Sequence, residues 1–111
     1  MTIGDIINQL SPDSFSIEPD RDIEIKDVYV SDLLSDVMAN AGEGSLWITL
    51  QTHINIVAVA SMKNMPAVIL VNGRKPEGET VQKAASEGIA LFGTDMHAFE
   101  LAGRLYNMLH G

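Results

Sequence analysis

Three short stretches hold the side chains best suited to chemistry: Gln51-Thr52-His53, Asn72-Gly73-Arg74-Lys75 and Gly93-Thr94-Asp95. Each directly follows a short apolar run and precedes a segment of helical character. If the runs are parallel strands, the three stretches lie along one edge of a sheet, which is where open α/β proteins bind ligands. Helix starts there would offer free N–H groups and a positive dipole end, both favouring an anion. Asn72-Gly73 permits a positive φ and close backbone approach, and Arg74 and Lys75 add charge. With donors on Thr52, Asn72, Arg74 and Thr94, a titratable His53 and Asp95 as the nearby acid, the expected ligand is a small anion, a phosphate-bearing metabolite or a nucleotide. The plainer alternative is that loops between strands and helices need small polar residues simply to turn and cap.

Catalysis and metal binding have less behind them. An acid-base set of His53 or His97 with Asp95 would need both histidines within hydrogen-bond reach of a common point. Asp95 and His97 are two apart, a spacing that on a helix points them to different faces. There is no His-x-x-x-His pair and no cysteine, so no metal site and no cofactor are expected. The phosphate-binding, dinucleotide, nucleophile-elbow and zinc-protease patterns are all absent. No catalytic residue is assigned, and a non-enzyme is expected.

The elements that must position these stretches follow from periodicity. Leu46–Leu50, Ala67–Val71 and Ile89–Phe92 are nearly continuous apolar runs, as in strands buried on both faces of a parallel sheet. Between the second and third, Pro76–Glu87 is polar on one side and ends at Gly88, which predicts a helix and a right-handed crossover. Residues 54–62 are rich in β-branched types, yet Met62 and Met65 continue the apolar pattern at helical offsets, and the segment is read as a buried helix. The last segment, Thr94–Leu109, reads as a helix capped by Thr94 or Asp95, with Ala98, Leu101, Ala102, Leu105 and Leu109 on its main stripe. In the N-terminal part, Thr2 and Asp5 form a capping box before Ile3, Ile6, Ile7 and Leu10. Phe15–Ile17 and Ile23–Val28 alternate across Pro19-Asp20 and predict two short strands. Ser31 caps a helix through Ala41, with Gly42 as its left-handed stop.

Composition bounds the remaining possibilities. At 111 residues and 46% hydrophobic, the chain is expected to form one domain over residues 1–111 and not a disordered tail. Its longest apolar stretches, Ile56–Ala60 and Pro66–Val71, fall far short of the ~18 residues of a membrane span. A cytoplasmic location is expected, since no signal-length segment opens the chain. Residues 1–44 carry ten acids against Arg21 and Lys26, a balance that equals the whole net charge of −8. Such a face repels phosphate backbones, so nucleic acid and anionic membranes are poor partners, whereas a basic protein partner is not. Met96, Phe99, Tyr106 and Met108 lie outside the main stripe of the last helix. That surplus of apolar surface predicts a homodimer.

Several of these segments, read together, resemble a known family. Tyr29–Ala41, Trp47–His53, Asn55–Ala60, Asn72–Pro76 and Ala98–Gly103 look like a stand-alone DRTGG domain, and the resemblance covers nearly the whole chain. It implies a three-layer α/β/α fold with a mixed, mainly parallel sheet, similar to the N-terminal domain of the HPr kinase/phosphorylase. It also implies a regulatory or ligand-sensing module without catalysis of its own. Small stand-alone members resemble accessory proteins of anaerobic metabolism, some associated with iron-only hydrogenase systems. The name-giving residues depart from the family pattern: Thr52-His53 stand where its Asp-Arg pair falls, and Val71-Asn72-Gly73 where its Thr-Gly-Gly falls.

Overall fold

Burial on both faces explains why the apolar runs are unbroken. The computed structural model describes residues 1–111, with ten elements in chain order. They are α1 (Ile3–Leu10), β1 (Asp13–Ser14), β2 (Asp27–Val30), α2 (Leu34–Asn40), β3 (Ser45–Thr49), α3 (Asn55–Met62), β4 (Ala67–Leu70), α4 (Gly78–Glu87), β5 (Ala90–Gly93) and α5 (Ala98–His110). The sheet order is β1-β5-β4-β3-β2; β2 to β5 are parallel, and β1 alone runs antiparallel, against β5. The architecture is therefore α/β with a mixed, mainly parallel sheet, as expected. No helix is long and apolar enough to cross a membrane.

Two apolar layers sandwich the sheet. On one face Val37 of α2, Ile56, Val57 and Ala60 of α3 and Ala84 of α4 pack on Trp47, Val68 and Leu91. On the other, Ile3 and Ile6 of α1 and Leu101 and Leu105 of α5 pack on Leu46, Ile48, Ile69 and Phe92. Successive strand residues point to opposite faces, so neighbours such as Leu46 and Trp47 belong to different layers. The strands advance in one direction while α2, α3 and α4 all return on one face, so all three crossovers share one hand.

Local signals account for most boundaries. The Thr2 hydroxyl accepts from the Asp5 N–H at 3.1 Å, and the Asp5 carboxylate accepts from the Thr2 N–H at 3.0 Å. That hydrogen bond from the Thr2 backbone is the main reason the Asp5 carboxyl sits below its usual pKa. Gly88 ends α4 at φ 71°, in the left-handed region its lack of a Cβ permits. Residues 55–62 are helical, so burial and the crossover override β propensity.

Three expectations are corrected. The two N-terminal strands are displaced from Phe15–Ile17 and Ile23–Val28: β1 is only Asp13–Ser14 and joins β5, whereas β2 is Asp27–Val30 and joins β3 at the opposite edge. The apolar alternation between them reflects separate docking points, since Ile25 is buried in the α1–α5 layer and Phe15 packs against the other. Gly42 is not left-handed; Ala41 closes α2 in an extended conformation, and Gly44 takes the positive φ of 80°. Helix α5 starts at Ala98, with His97 as N-cap, because residues 94–97 are used in the loop contacts described below.

At the outer edge, Tyr29 on β2 and Asp36 on α2 tie strand to helix. The Tyr29 hydroxyl lies 2.9 and 3.0 Å from the two Asp36 oxygens, and the Asn40 amide donates to the same carboxylate at 2.9 Å. Hydrogen bonds from Ser31, Asn40 and Tyr29 hold the Asp36 carboxyl below its ordinary value, and burial, with Asp36 second, raises the Tyr29 hydroxyl. A lowered carboxyl pKa contributes stability that is present above the unfolded value and is lost as pH falls through the folded one. Asp36→Asn should therefore be the less stable protein at neutral pH, with the gap closing as pH drops below 3.8. Urea midpoints of both proteins across that range test this, and a constant gap would contradict it.

Candidate functional site

The carboxyl ends of the parallel strands are stitched into one continuous surface. Asp32, just after β2, accepts from the Thr49 hydroxyl at 2.9 Å and the Leu50 N–H at 2.7 Å, both at the end of β3. The Gln51 amide returns a bond to the Asp32 carbonyl at 3.0 Å, and the Trp47 indole donates to the Ser31 carbonyl at 2.8 Å. The β3 and β4 loops meet at the Thr52 carbonyl, which accepts from the Glu77 N–H at 3.2 Å and the buried Thr80 hydroxyl at 2.8 Å. The β4 and β5 loops meet through the Asn72 N–H on the Met96 carbonyl and the Gly73 N–H on the Thr94 carbonyl, each at 2.9 Å.

Residue type decides the geometry at the centre of this edge. Asn72 and Gly73 both have positive φ, 58° and 68°, which Asn tolerates and Gly adopts freely. A Cβ on residue 73 would sit 3.0 Å from the Asp95 carboxylate, so the glycine also lets the β5 loop close in. His53 caps α3: its Nδ1 accepts from the Asn55 N–H at 3.2 Å, which leaves Nε2 as the outward donor of the neutral ring. The Thr94 hydroxyl accepts from the Met96 N–H at 3.2 Å.

All seven residues expected at the site thus belong to this edge. His53, Asn72, Arg74 and Asp95 are exposed there, and Thr52, Gly73 and Thr94 are half-buried beneath them. Arg74 takes part in none of the ion pairs. Lys75 turns away, its Nζ 3.8 Å from Asp13 and 5.4 Å from the centre of the Phe15 ring. The first N–H groups of α3 are already satisfied by His53 and Ile54, so that helix start offers less to an anion than expected, whereas α5 has no side-chain cap at all. Asp32 and Gln51 act at this edge and were not among the expected binding residues; the first becomes visible only once β2 is seen to be parallel.

The arrangement does not favour a joint role for the histidines. His53 follows β3 and leads into α3 on one face of the sheet, whereas His97 follows β5 and leads into α5 on the other, with β4 between the two strands. No group of three or more His, Cys, Asp or Glu is placed to hold a metal ion. The seven residues line no enclosed cavity and form an open surface.

No protein-family model and no curated protein matches this sequence. Among solved structures, the CBS and DRTGG domains of the regulatory region of Clostridium perfringens pyrophosphatase, complexed with the activator diadenosine tetraphosphate, are similar to it, with a TM-score of 0.73 and 22% identity over 94% of this chain. This chain spans 45% of that one. With five strands, five helices and this similarity, the chain has a DRTGG-like α/β fold.

Proposed function

We propose that residues 1–111 act as one non-catalytic regulatory module that senses a small anionic metabolite or nucleotide at the carboxyl edge of the sheet. The observation that carries this reading is the unpaired, exposed Arg74 on an edge whose three loops backbone hydrogen bonds have already joined, with His53 and Asn72 exposed on the same edge. An unpaired guanidinium there breaks no existing ion pair to meet a phosphate, which it can engage in a bidentate, charge-assisted pair. The neighbouring structure supports the ligand class, being a regulatory region with a bound nucleotide activator. A few charge-assisted bonds at an open surface give affinities in the micromolar to millimolar range, at about 1.5–3 kcal/mol each. Such weak binding suits a sensor of abundant metabolites.

Calorimetric titration with nucleotides and sugar phosphates tests the proposal. At least one should bind, and Arg74→Ala should weaken it roughly 10–100-fold, the equivalent of one such bond. If none binds, or if Arg74→Ala binds as well as the parent, the site is wrong.

The same reading includes self-association. Phe99, on α5, is 92% exposed, and a homodimer is the simplest closed arrangement that covers it. Since each chain carries a net charge of −8, the dimer should strengthen with salt. Sedimentation equilibrium should give twice the 12.0 kDa chain mass at high salt and return to 12.0 kDa in Phe99→Glu; a 12.0 kDa species at all salt concentrations would contradict it.

A further inference from the structure

β2 is an edge strand whose outer side is unpaired. The Ser31 N–H donates to the Ile48 carbonyl of β3, so by alternation the N–H and C=O groups of Val28 and Val30 face away from the sheet. The Val28 N–H is covered by the Asp27 carboxylate of its own chain at 2.8 Å, which protects the edge in the free protein. Beside this edge, between β2 and α5, lies a groove of about 300 Å³ lined by Val28, Val30, Ala102, Tyr106 and Leu109, with Asp27 and His110 as its polar members. Val30 is half exposed and Tyr106 more so, although both belong to an apolar surface. Phe99 is not part of the groove.

We infer that this edge and groove together receive an extended segment of a basic protein partner, with apolar side chains at alternate positions and Lys or Arg between them. The partner adds a strand to β2, its carbonyl replacing the Asp27 carboxylate on the Val28 N–H. The apolar side chains of that strand face α5 and enter the groove. The displaced Asp27 carboxylate stays at the exposed edge, with Asp32 just past the end of the same strand, and the two favour Lys or Arg on the partner. The acidic balance of residues 1–44, to which β2 belongs, acts in the same direction at longer range.

The test uses the whole chain and a synthetic peptide of alternating Lys and Val, with an alternating Glu and Val peptide as the opposite-charge control. Amide NMR should show the Val28 and Val30 signals shifting with the basic peptide and not with the acidic one. Val30→Pro removes an outward N–H and leaves the ladder to β3 intact, and Tyr106→Ala opens the groove at an exposed position; each should raise the dissociation constant about tenfold or more. A basic peptide that does not bind overturns the inference, as does one whose affinity is unchanged in the folded Tyr106→Ala chain. Self-association that Val30→Pro abolishes would assign the edge to a second copy and overturn it equally.

Discussion

Trp47→Ala should destabilise the chain by about 3–5 kcal/mol, a large part of the ~5–15 kcal/mol that holds a domain of this size together. Trp47 is completely buried in the middle of β3, in the layer shared with Val37, Ile56, Val68 and Leu91. Its removal leaves a cavity beneath α2 and α3 that rigid strands on either side cannot close. It also strips the Ser31 carbonyl of its indole donor, so the end of β2 loses a tie to the sheet. Urea unfolding should show the midpoint falling steeply with little change in slope. A loss of less than about 1.5 kcal/mol would mean the site collapses around the gap, contrary to the packing described.

The second large effect concerns Asp32. Although its carboxylate lies at the surface, it satisfies the hydroxyl of Thr49, a buried residue, and fixes the Leu50 N–H at the mouth of the β3 loop. Asp32→Ala leaves both donors without their acceptor, which should cost about 1.5–3 kcal/mol of stability. Asp32→Asn keeps an acceptor oxygen and should recover part of that loss. Because the Asp32 carboxylate fixes Leu50 at the turn into Thr52 and His53, anion affinity should fall in Asp32→Ala even though Arg74 is untouched. Parallel unfolding and titration of the two variants would show this; equal stability of Asp32→Ala and its parent would contradict the role assigned to the bond.

The sequence makes the centre of the sheet legible because strands buried on both faces must be apolar without interruption, and Leu46–Leu50, Ala67–Val71 and Ile89–Phe92 are. Gly88 marks the end of α4 for a reason that is local: only a residue without a Cβ adopts that turn freely. The edges are less legible. Alternation in residues 15–28 records that Phe15, Ile23 and Ile25 find apolar neighbours, and it carries no information on whether their backbones pair with each other. The start of α5 is hidden for a related reason. Thr94 and Asp95 are good caps by type, yet the backbone of residues 94–96 is claimed by Asn72 and Gly73, a tertiary contact that no local pattern announces. Of the site, the three loops are visible in the sequence, whereas the turning away of Lys75 to Asp13 and the part played by Asp32 depend on the strand order.

The central claim is that the carboxyl edge, and not another surface, receives an anionic ligand. The most direct measurement is an amide NMR titration of the isotope-labelled chain with ATP and with diadenosine tetraphosphate. Saturable shifts should concentrate on Thr52, His53, Gly73, Arg74, Thr94 and Asp95, residues brought together from three separate loops, and should need roughly 10–100-fold more nucleotide in Arg74→Ala. A spectrum that does not change at millimolar nucleotide, or changes confined to the groove between β2 and α5 or to the surface between α1 and α5, would contradict the account.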